Sequence, residues 1–374
     1  LYVVKVQVSA SERGDADPLV ICGGPCAYNG EPLADFVDLF IIGEGEEVNI
    51  ELTELYIKHK KAGYSKEKFL REASHIKGIY VPSLYDVEYN DDGTIKLFAP
   101  KYPDVPEKVQ KRIVEDMDKA PYPEKFIVPF IQTVQDRITL EVYRGCIRGC
   151  RFCQAGAVFR PVREKSPEVL CEQAKKLADN TGYGEMTLSS LSISDYSCIS
   201  QLTDMLLEWT NDRKISLSLP SLRVDSFTKE LMDKISTVRT GTLTFAPEAG
   251  TQRLRDVINK NVMEADLFRA CRVAFEGGKS QVKLYFMQGL PTETDEDLCG
   301  IAKLARDVIE EYYATPSRPR KAPQVTISAA CFIPKPFTAF QWEPQCAYEE
   351  LLRKQQHIKE QRILREMRYY YHAA

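Results

Sequence analysis

The sequence predicts an α/β protein, a partial (β/α)6 barrel of TIM type preceded by a partial Rossmann-like domain. Two patterns carry this. Apolar, β-rich runs recur at residues 139–143, 185–191, 215–219, 241–246, 281–286 and 324–331, with helical stretches between them near 167–180, 198–210, 228–236, 264–276 and 295–312. Strand followed by helix, repeated about six times, implies parallel strands with helical crossovers, and such a layout closes into a full or partial barrel. Ahead of it, Leu19-Val20-Ile21-Cys22 runs into Gly23-Gly24, and a second apolar run from Val37 to Ile42 runs into Gly43-Glu44-Gly45. Strand, glycine turn, short helix, strand, glycine turn is half of a doubly wound α/β domain.

The expected organisation is therefore a Rossmann-like piece over 1–80, a connector over 81–134, the barrel over 135–340 and a C-terminal helix over 341–374. Residues 51–80 read as helical and basic. The segment 81–130 is rich in Pro, Asp and Tyr and is expected to carry little regular structure, although Asn90-Asp91-Asp92-Gly93 within it is a strong hairpin turn. Residues 347–367 read as a charged amphipathic helix with Leu351, Leu352, Ile358, Ile363 and Leu364 on its buried side.

The chain has 374 residues, 44% hydrophobic and 28% charged, with a net charge of -4, enough for a full core and more than one domain. That acidic balance argues against broad coating of nucleic acid. No run approaches the ~18 apolar residues of a membrane span. Leu1 to Ser9 lack the pattern of a signal peptide, so the expected compartment is the cytoplasm, and the absence of an initiator Met leaves room for residues in front. Eleven cysteines in such a chain suggest metal binding rather than a disulfide framework.

Three of those cysteines form the strongest signal. Gly145-Cys146-Ile147-Arg148-Gly149-Cys150-Arg151-Phe152-Cys153 follows the first barrel strand, with three and then two residues between the thiols. Thiolates ligate iron–sulfur clusters, and three on one compact loop can hold three irons of a [4Fe–4S] cubane while leaving the fourth open. An open iron can bind the amino and carboxylate groups of S-adenosylmethionine (AdoMet) and pass an electron to its sulfonium. A structural zinc site would want a fourth ligand, and no His or further Cys lies between residues 130 and 170.

The three-cysteine loop after the first strand of a repeated β/α unit resembles the radical AdoMet superfamily over residues ~135–340. More narrowly, several stretches resemble an uncharacterised family of radical AdoMet proteins with a cobalamin-binding-like N-terminal domain. They are Gly23-Gly24-Pro25-Cys26-Ala27-Tyr28-Asn29, Gly43-Glu44-Gly45-Glu46-Glu47, Arg144-Gly145-Cys146, Phe245-Ala246-Pro247-Glu248-Ala249-Gly250-Thr251 and residues 285–294. The resemblance implies AdoMet contacts at strand ends, from Phe152 in the loop, Ser189 and Ser190 after the second strand, Arg223 after the third, Glu248 at the end of the fourth, and Gly289 and Pro291 after the fifth. Arg223 could pair with a carboxylate bidentately or join a surface ion pair with Asp225 or Glu230. Ser189, Ser190 and the Gly289–Pro291 turn could equally be plain strand-ending turns.

The resemblance also implies cobalamin at Gly23, Gly24, Gly43 and Gly45. Here the chain departs from the pattern, since no Asp-x-His-x-x-Gly stretch occurs and none of the four histidines lies in these loops. A degenerate domain that only caps the barrel is the other reading. The expected activity is modification of an unreactive carbon of RNA, protein or a cofactor precursor, by methylation if cobalamin binds, with a flavodoxin or ferredoxin as reducing partner and no membrane. Methylthiotransfer is the alternative reaction, although its enzymes carry a further cysteine triad and only Cys22 and Cys26 stand here. A non-catalytic iron–sulfur scaffold or redox sensor is the reading from another class.

Overall fold

In the computed structural model, residues 6–131, 133, 135–220, 223–224, 229, 243–361 and 366–371 are described. The chain divides into two compact units after Pro121.

In the first unit, β1 (Ile21–Cys22) and β2 (Leu39–Ile41) pair in parallel, and β3 (Ile79–Tyr80) adds antiparallel to β2. Leu39, Phe40 and Ile41 are all buried, as expected of a strand covered on both faces. They pack with Val48 and Leu52 of α1 (Gly45–Lys61) and with Phe69, Leu70 and Ala73 of α2 (Lys66–Ala73). Glu46 and Glu47 in the first turn of α1 and Lys58 to Lys61 in its last complement the helix dipole. A hairpin follows, β4 (Tyr85–Tyr89) and β5 (Ile95–Pro100), closed by the turn read from Asn90 to Gly93. The segment expected to lack regular structure therefore holds a hairpin. It also adds Val81, Leu84, Tyr85 and Val105 to this unit's core, because its Pro-rich composition conceals apolar residues spaced to dock on β3.

The second unit is the partial barrel. All six expected strands form: β6 (Ile138–Glu141), then, after the short pair β7 (Tyr143–Arg144) and β8 (Arg163–Glu164), β9 (Glu185–Ser189), β10 (Ser216–Ser218), β11 (Leu243–Glu248), β12 (Gln281–Gln288) and β13 (Gln324–Cys331). They make two parallel sheets, β10-β9-β6 and β11-β12-β13, the second extended by β14 (Met367–Tyr371). The crossovers are α4 (Pro167–Thr181), α5 (Ile199–Thr210), α6 (Gln252–Val257) with α7 (Glu264–Glu276), and α8 (Asp295–Ala314). A short α3 (Ala155–Val158) follows the cysteine loop. The start and stop of α4 are written locally. Ser166 caps Val169 N–H, Pro167 opens the helix, and Gly182 closes it with a left-handed backbone. The expected helix over 228–236, together with Asp225 and Glu230, lies outside the described residues.

The C-terminal reading needs correction. Helix α9 (Tyr348–Glu360) stops at Glu360, and residues from Met367 form β14 rather than helix. Leu351 and Ile358 are buried, but Leu352 is 45% exposed. The run 366–371 is short, charged and bound to one neighbour, so its strand character comes from pairing with β13, which periodicity does not report. Ile363 and Leu364 lie outside the described residues.

Strand β12 alternates, with Val282, Leu284, Phe286 and Gln288 buried and Lys283, Tyr285 and Met287 partly or fully open. A parallel strand is normally covered on both faces, and the open face here lines the inside of an incomplete barrel. Beyond the strand ends a second, smaller core gathers Ala249, Leu254, Ile258, Leu290, Phe332 and Phe340.

Candidate functional site

The cysteine loop leaves the C-terminal end of β6 through Gly145. A side chain on Gly145 would lie 2.8 Å from the carbonyl oxygens of both Phe159 and Pro161, and its φ of 97° is one that glycine adopts without strain. This close approach folds the loop back over residues 159–162. Backbone groups in the loop are then satisfied from outside it. Arg160 donates to Cys146 O at 3.4 Å and to Arg148 O at 3.1 Å. Asn259 Nδ2 donates to Gly149 O at 2.8 Å, and Arg151 N donates to Ile258 O at 3.0 Å. Phe152 packs onto the smaller core.

Cys146, Cys150 and Cys153 are free thiols of intermediate exposure. Among the described residues, no three His, Cys, Asp or Glu side chains converge to hold a single metal ion. A cubane makes a different demand, since each thiolate meets its own iron. Three unpaired thiols on a loop with its backbone pinned elsewhere fit that demand.

Around the thiols stand residues from several strand ends. Burial pushes the Cys150 thiol up, while the charges of Lys260 and Arg223 draw it down and Glu248 adds to the rise. Lys260, Arg223 and Glu248 therefore lie within electrostatic range of Cys150. Glu248 is the last residue of β11, and its Oε1 lies 3.1 Å from Lys260 Nζ. Arg223 N donates to Ser194 Oγ at 3.0 Å. Arg148 binds Asp195 through Nε at 3.1 Å and through Nη2. Against the upward push of burial, that guanidinium holds the Asp195 carboxyl below the usual carboxylate range. Tyr143 donates to Ser192 O, and burial, then the Asp195 charge, push its phenol up to about 12.

Ser189 and Ser190 end β9. The Ser189 carbonyl accepts from Val142 N at 3.0 Å, and the Ser190 hydroxyl is buried against the Tyr143 phenol, whose upward shift it opposes. At Gly289 the space is taken, since a side chain there would lie 3.1 Å from both Cys346 and Leu351. Gly289 N donates to Glu293, whose carboxylate is paired at 2.8 Å with Lys354. Pro291 follows in the same turn.

Sequence reasoning missed Lys260, Asn259, Asp195 and Tyr143. The pair Asn259 and Asn261, both with positive φ, was the available signal, since Asn tolerates left-handed backbone at helix ends.

In the first unit the two glycine turns differ. Gly24 has open space on its side-chain side, whereas a side chain on Gly43 would lie 2.1 Å from Arg112 O. Residues 111–114 pass over this turn. Gly43 and Arg112 form a parallel bridge, Glu44 N donates to Arg112 O at 3.0 Å, and the Arg112 guanidinium binds Glu47 and Glu51, each at 2.6 Å.

Parallel strands feeding a three-thiol loop, ringed by charged residues from neighbouring strand ends, define the class of barrel that carries an iron–sulfur cluster at its C-terminal face. The description "Radical SAM superfamily" matches residues 140–305, and "Radical SAM proteins, N-terminal" matches residues 1–82. The chain belongs to the radical S-adenosylmethionine superfamily.

It is 32% identical over 341 residues to an uncharacterised protein of Methanocaldococcus jannaschii, covering 88% of this chain and 63% of that one. A putative methylthiotransferase of the same organism is 24% identical over 172 residues, 43% of this chain and 37% of that one. The chain thus spans between 37% and 63% of the length of these curated relatives. The radical S-adenosylmethionine methyltransferase TsrM of Kitasatospora setae, solved with cobalamin and a [4Fe–4S] cluster, shares the fold with a TM-score of 0.51 at 14% identity. That match covers 83% of this chain and 56% of that one. Among the described residues, no helix is long and apolar enough to cross a membrane.

Proposed function

We propose that this chain is the catalytic part of a radical AdoMet enzyme that modifies an unreactive carbon of RNA, protein or a cofactor precursor. The observation that carries this is the position of the Cys146–Cys153 loop, at the end of β6 and within electrostatic reach of Arg223, Glu248 and Lys260. A [4Fe–4S] cluster on Cys146, Cys150 and Cys153 would supply the electron that cleaves AdoMet reductively.

The chain's own residues bind and orient. Arg223 offers a fork for the AdoMet carboxylate. Glu248, held by Lys260, is an acceptor for the amine or the ribose hydroxyls. Ser189 and Ser190, where β9 ends, offer a carbonyl and a hydroxyl to the methionyl amine. Phe152, packed on the smaller core, steadies the loop, and Gly289 and Pro291 shape the far wall. Electrons would come from a flavodoxin or ferredoxin.

Methyl transfer with cobalamin is the favoured reaction, and the fold shared with the methyltransferase supports it. In the first unit, Gly23 and Gly24 offer an open turn. At Gly43 a ligand would have to displace residues 111–114, and at Gly45 the Asn49 side chain. Methylthiotransfer is a second reading, favoured by the putative methylthiotransferase relative, although Cys22 and Cys26 are one thiol short of a second triad.

The test is anaerobic reconstitution followed by a 5′-deoxyadenosine assay with a strong reductant. The reconstituted chain should cleave AdoMet and Cys150→Ala should not; a Cys150→Ala protein cleaving at the normal rate overturns the reading. About four irons per chain speak for one cluster and about eight for the methylthiotransfer reading.

A further inference from the structure

The loop after β13, residues 332–346, carries Phe-Ile-Pro-Lys-Pro-Phe-Thr-Ala-Phe-Gln-Trp, and the proposed reaction gives it no role. Its buried members, Phe332, Thr338 and Phe340, anchor it. Phe332 and Phe340 meet edge to face at 5.9 Å inside the smaller core. Between the anchors Ile333, Lys335 and Phe337 face solvent, as do Gln341 and Trp342 just after them, with Trp342 88% exposed.

The loop is built rather than slack. Phe332 N donates to Gln288 O at 2.9 Å, Thr338 Oγ1 to Lys335 O at 2.7 Å, Phe337 N to Gln341 Oε1 at 3.1 Å and Glu343 N to Phe340 O at 3.1 Å. Phe337 is held at φ 65°, a left-handed conformation that a bulky residue adopts only when its surroundings impose it. Most tellingly, Phe340 N donates to Arg151 O at 3.1 Å, which ties this loop directly to the cysteine loop.

A large exposed indole on a rigid loop beside the reactive centre needs a reason. The exposed side chains do not form a continuous apolar patch of the kind a protein partner would cover, because Lys335, Gln341 and Glu343 interrupt them. They are separate rings among charges. Lys335 stands exposed between Ile333 and Phe337. Arg151 and Arg160 are exposed on and just beyond the cysteine loop, although both also donate to backbone carbonyls, Arg151 to Val257 O at 2.6 Å. Glu343 beside Trp342 is the opposing charge. Exposed aromatic rings flanked by cations are the chemistry that holds single-stranded nucleic acid, with bases stacked on the rings and phosphates met by the cations.

We propose that Trp342 and Phe337 form a stacking platform for an unpaired base of a single-stranded RNA, which the platform delivers to the centre beside Arg151. This deepens the proposed function by choosing RNA among its substrate classes, and it rests on that reading for what happens after binding.

The chain contains only two tryptophans, Trp209 and Trp342, so Trp209→Phe leaves Trp342 as sole reporter. Titrating this variant with single-stranded oligoadenylate RNA should quench its fluorescence, with an affinity that falls as salt rises. In the wild-type background, Trp342→Ala should weaken binding of end-labelled oligoadenylate by roughly 5- to 150-fold, the worth of one stacked base, and Trp342→Phe should recover most of the loss. Duplex RNA of the same length should quench little. The proposal is overturned if single-stranded RNA leaves Trp342 unquenched, if Trp342→Ala binds as wild type does, or if an unfolded peptide rich in Phe and Tyr quenches where RNA does not. AdoMet cleavage measured on the same preparation separates the two readings. Cleavage without RNA binding removes the platform alone, and RNA binding without cleavage removes the radical reaction.

Discussion

Glu248 holds a φ of 69° at the point where β11 departs from its register with β12. A non-glycine residue there is strained by about 1–3 kcal/mol, and the strain turns its carboxylate to Lys260 and the thiols. Arg223 reaches the same place from β10. Their shared neighbourhood with Cys150 argues that both bind AdoMet. Arg223→Ala and Glu248→Ala should each weaken AdoMet binding by roughly ten- to a hundredfold, the effect of losing a charge-assisted hydrogen bond of ~1.5–3 kcal/mol, with iron content unchanged. Equilibrium binding beside an iron assay checks this, and unchanged affinity in both variants removes them from the site. The placement of these two after strands was legible, because apolar runs had already located those strand ends. Lys260 and Asn259 were not. Asn259 meets Gly149 across 110 positions, and such a partnership leaves no trace in local pattern.

Helices α8 and α9 show what elements contribute. The turn after β12 is locked to α9 by Glu293 and Lys354, whose side chains are 1% and 9% exposed at a separation of 2.8 Å. Burial pushes the Glu293 carboxyl up, and Lys354 with the Gly289 and Leu290 backbone opposes it. Removing Glu293 leaves the buried Lys354 with only the more distant and more exposed Glu350, at 3.9 Å. Glu293→Gln should therefore destabilise the chain by about 3–5 kcal/mol, and adding Lys354→Met should recover most of that loss. Denaturant unfolding of the single and double variants checks this, and a fully additive pair would exclude the coupling. The six barrel strands were legible because buried strands read as apolar runs. Strand β14 and the end of α9 were not, because the charged run 361–368 suits a helix face as well as an edge strand. The hairpin over 85–100 was half legible, its turn plain and its strands masked by Tyr, Asp and Lys.

At the scale of the whole molecule, the two units have separate hydrophobic cores, one drawn wholly from residues 19–109 and the other from beyond residue 121. Separate cores should unfold as separate cooperative steps. Both tryptophans belong to the second unit, so selectively excited tryptophan fluorescence follows that unit alone, while circular dichroism follows both. The iron-free chain should show two thermal transitions by circular dichroism, with the fluorescence midpoint matching one. A ligand stabilises the unit that binds it, by about 2.7 kcal/mol at roughly 100 times its Kd. Reconstituted iron with AdoMet should therefore raise the fluorescence transition by several degrees. Cobalamin, if Gly23 and Gly24 hold it, should raise the other transition and leave fluorescence where it was. Because residues 111–114 lie over Gly43, loosening them with Glu47→Gln and Glu51→Gln should strengthen the cobalamin shift if that turn also takes part. A cobalamin titration that moves neither transition, or only the fluorescent one, would mean that the first unit does not hold the cofactor, and methyl transfer would lose its support in this chain.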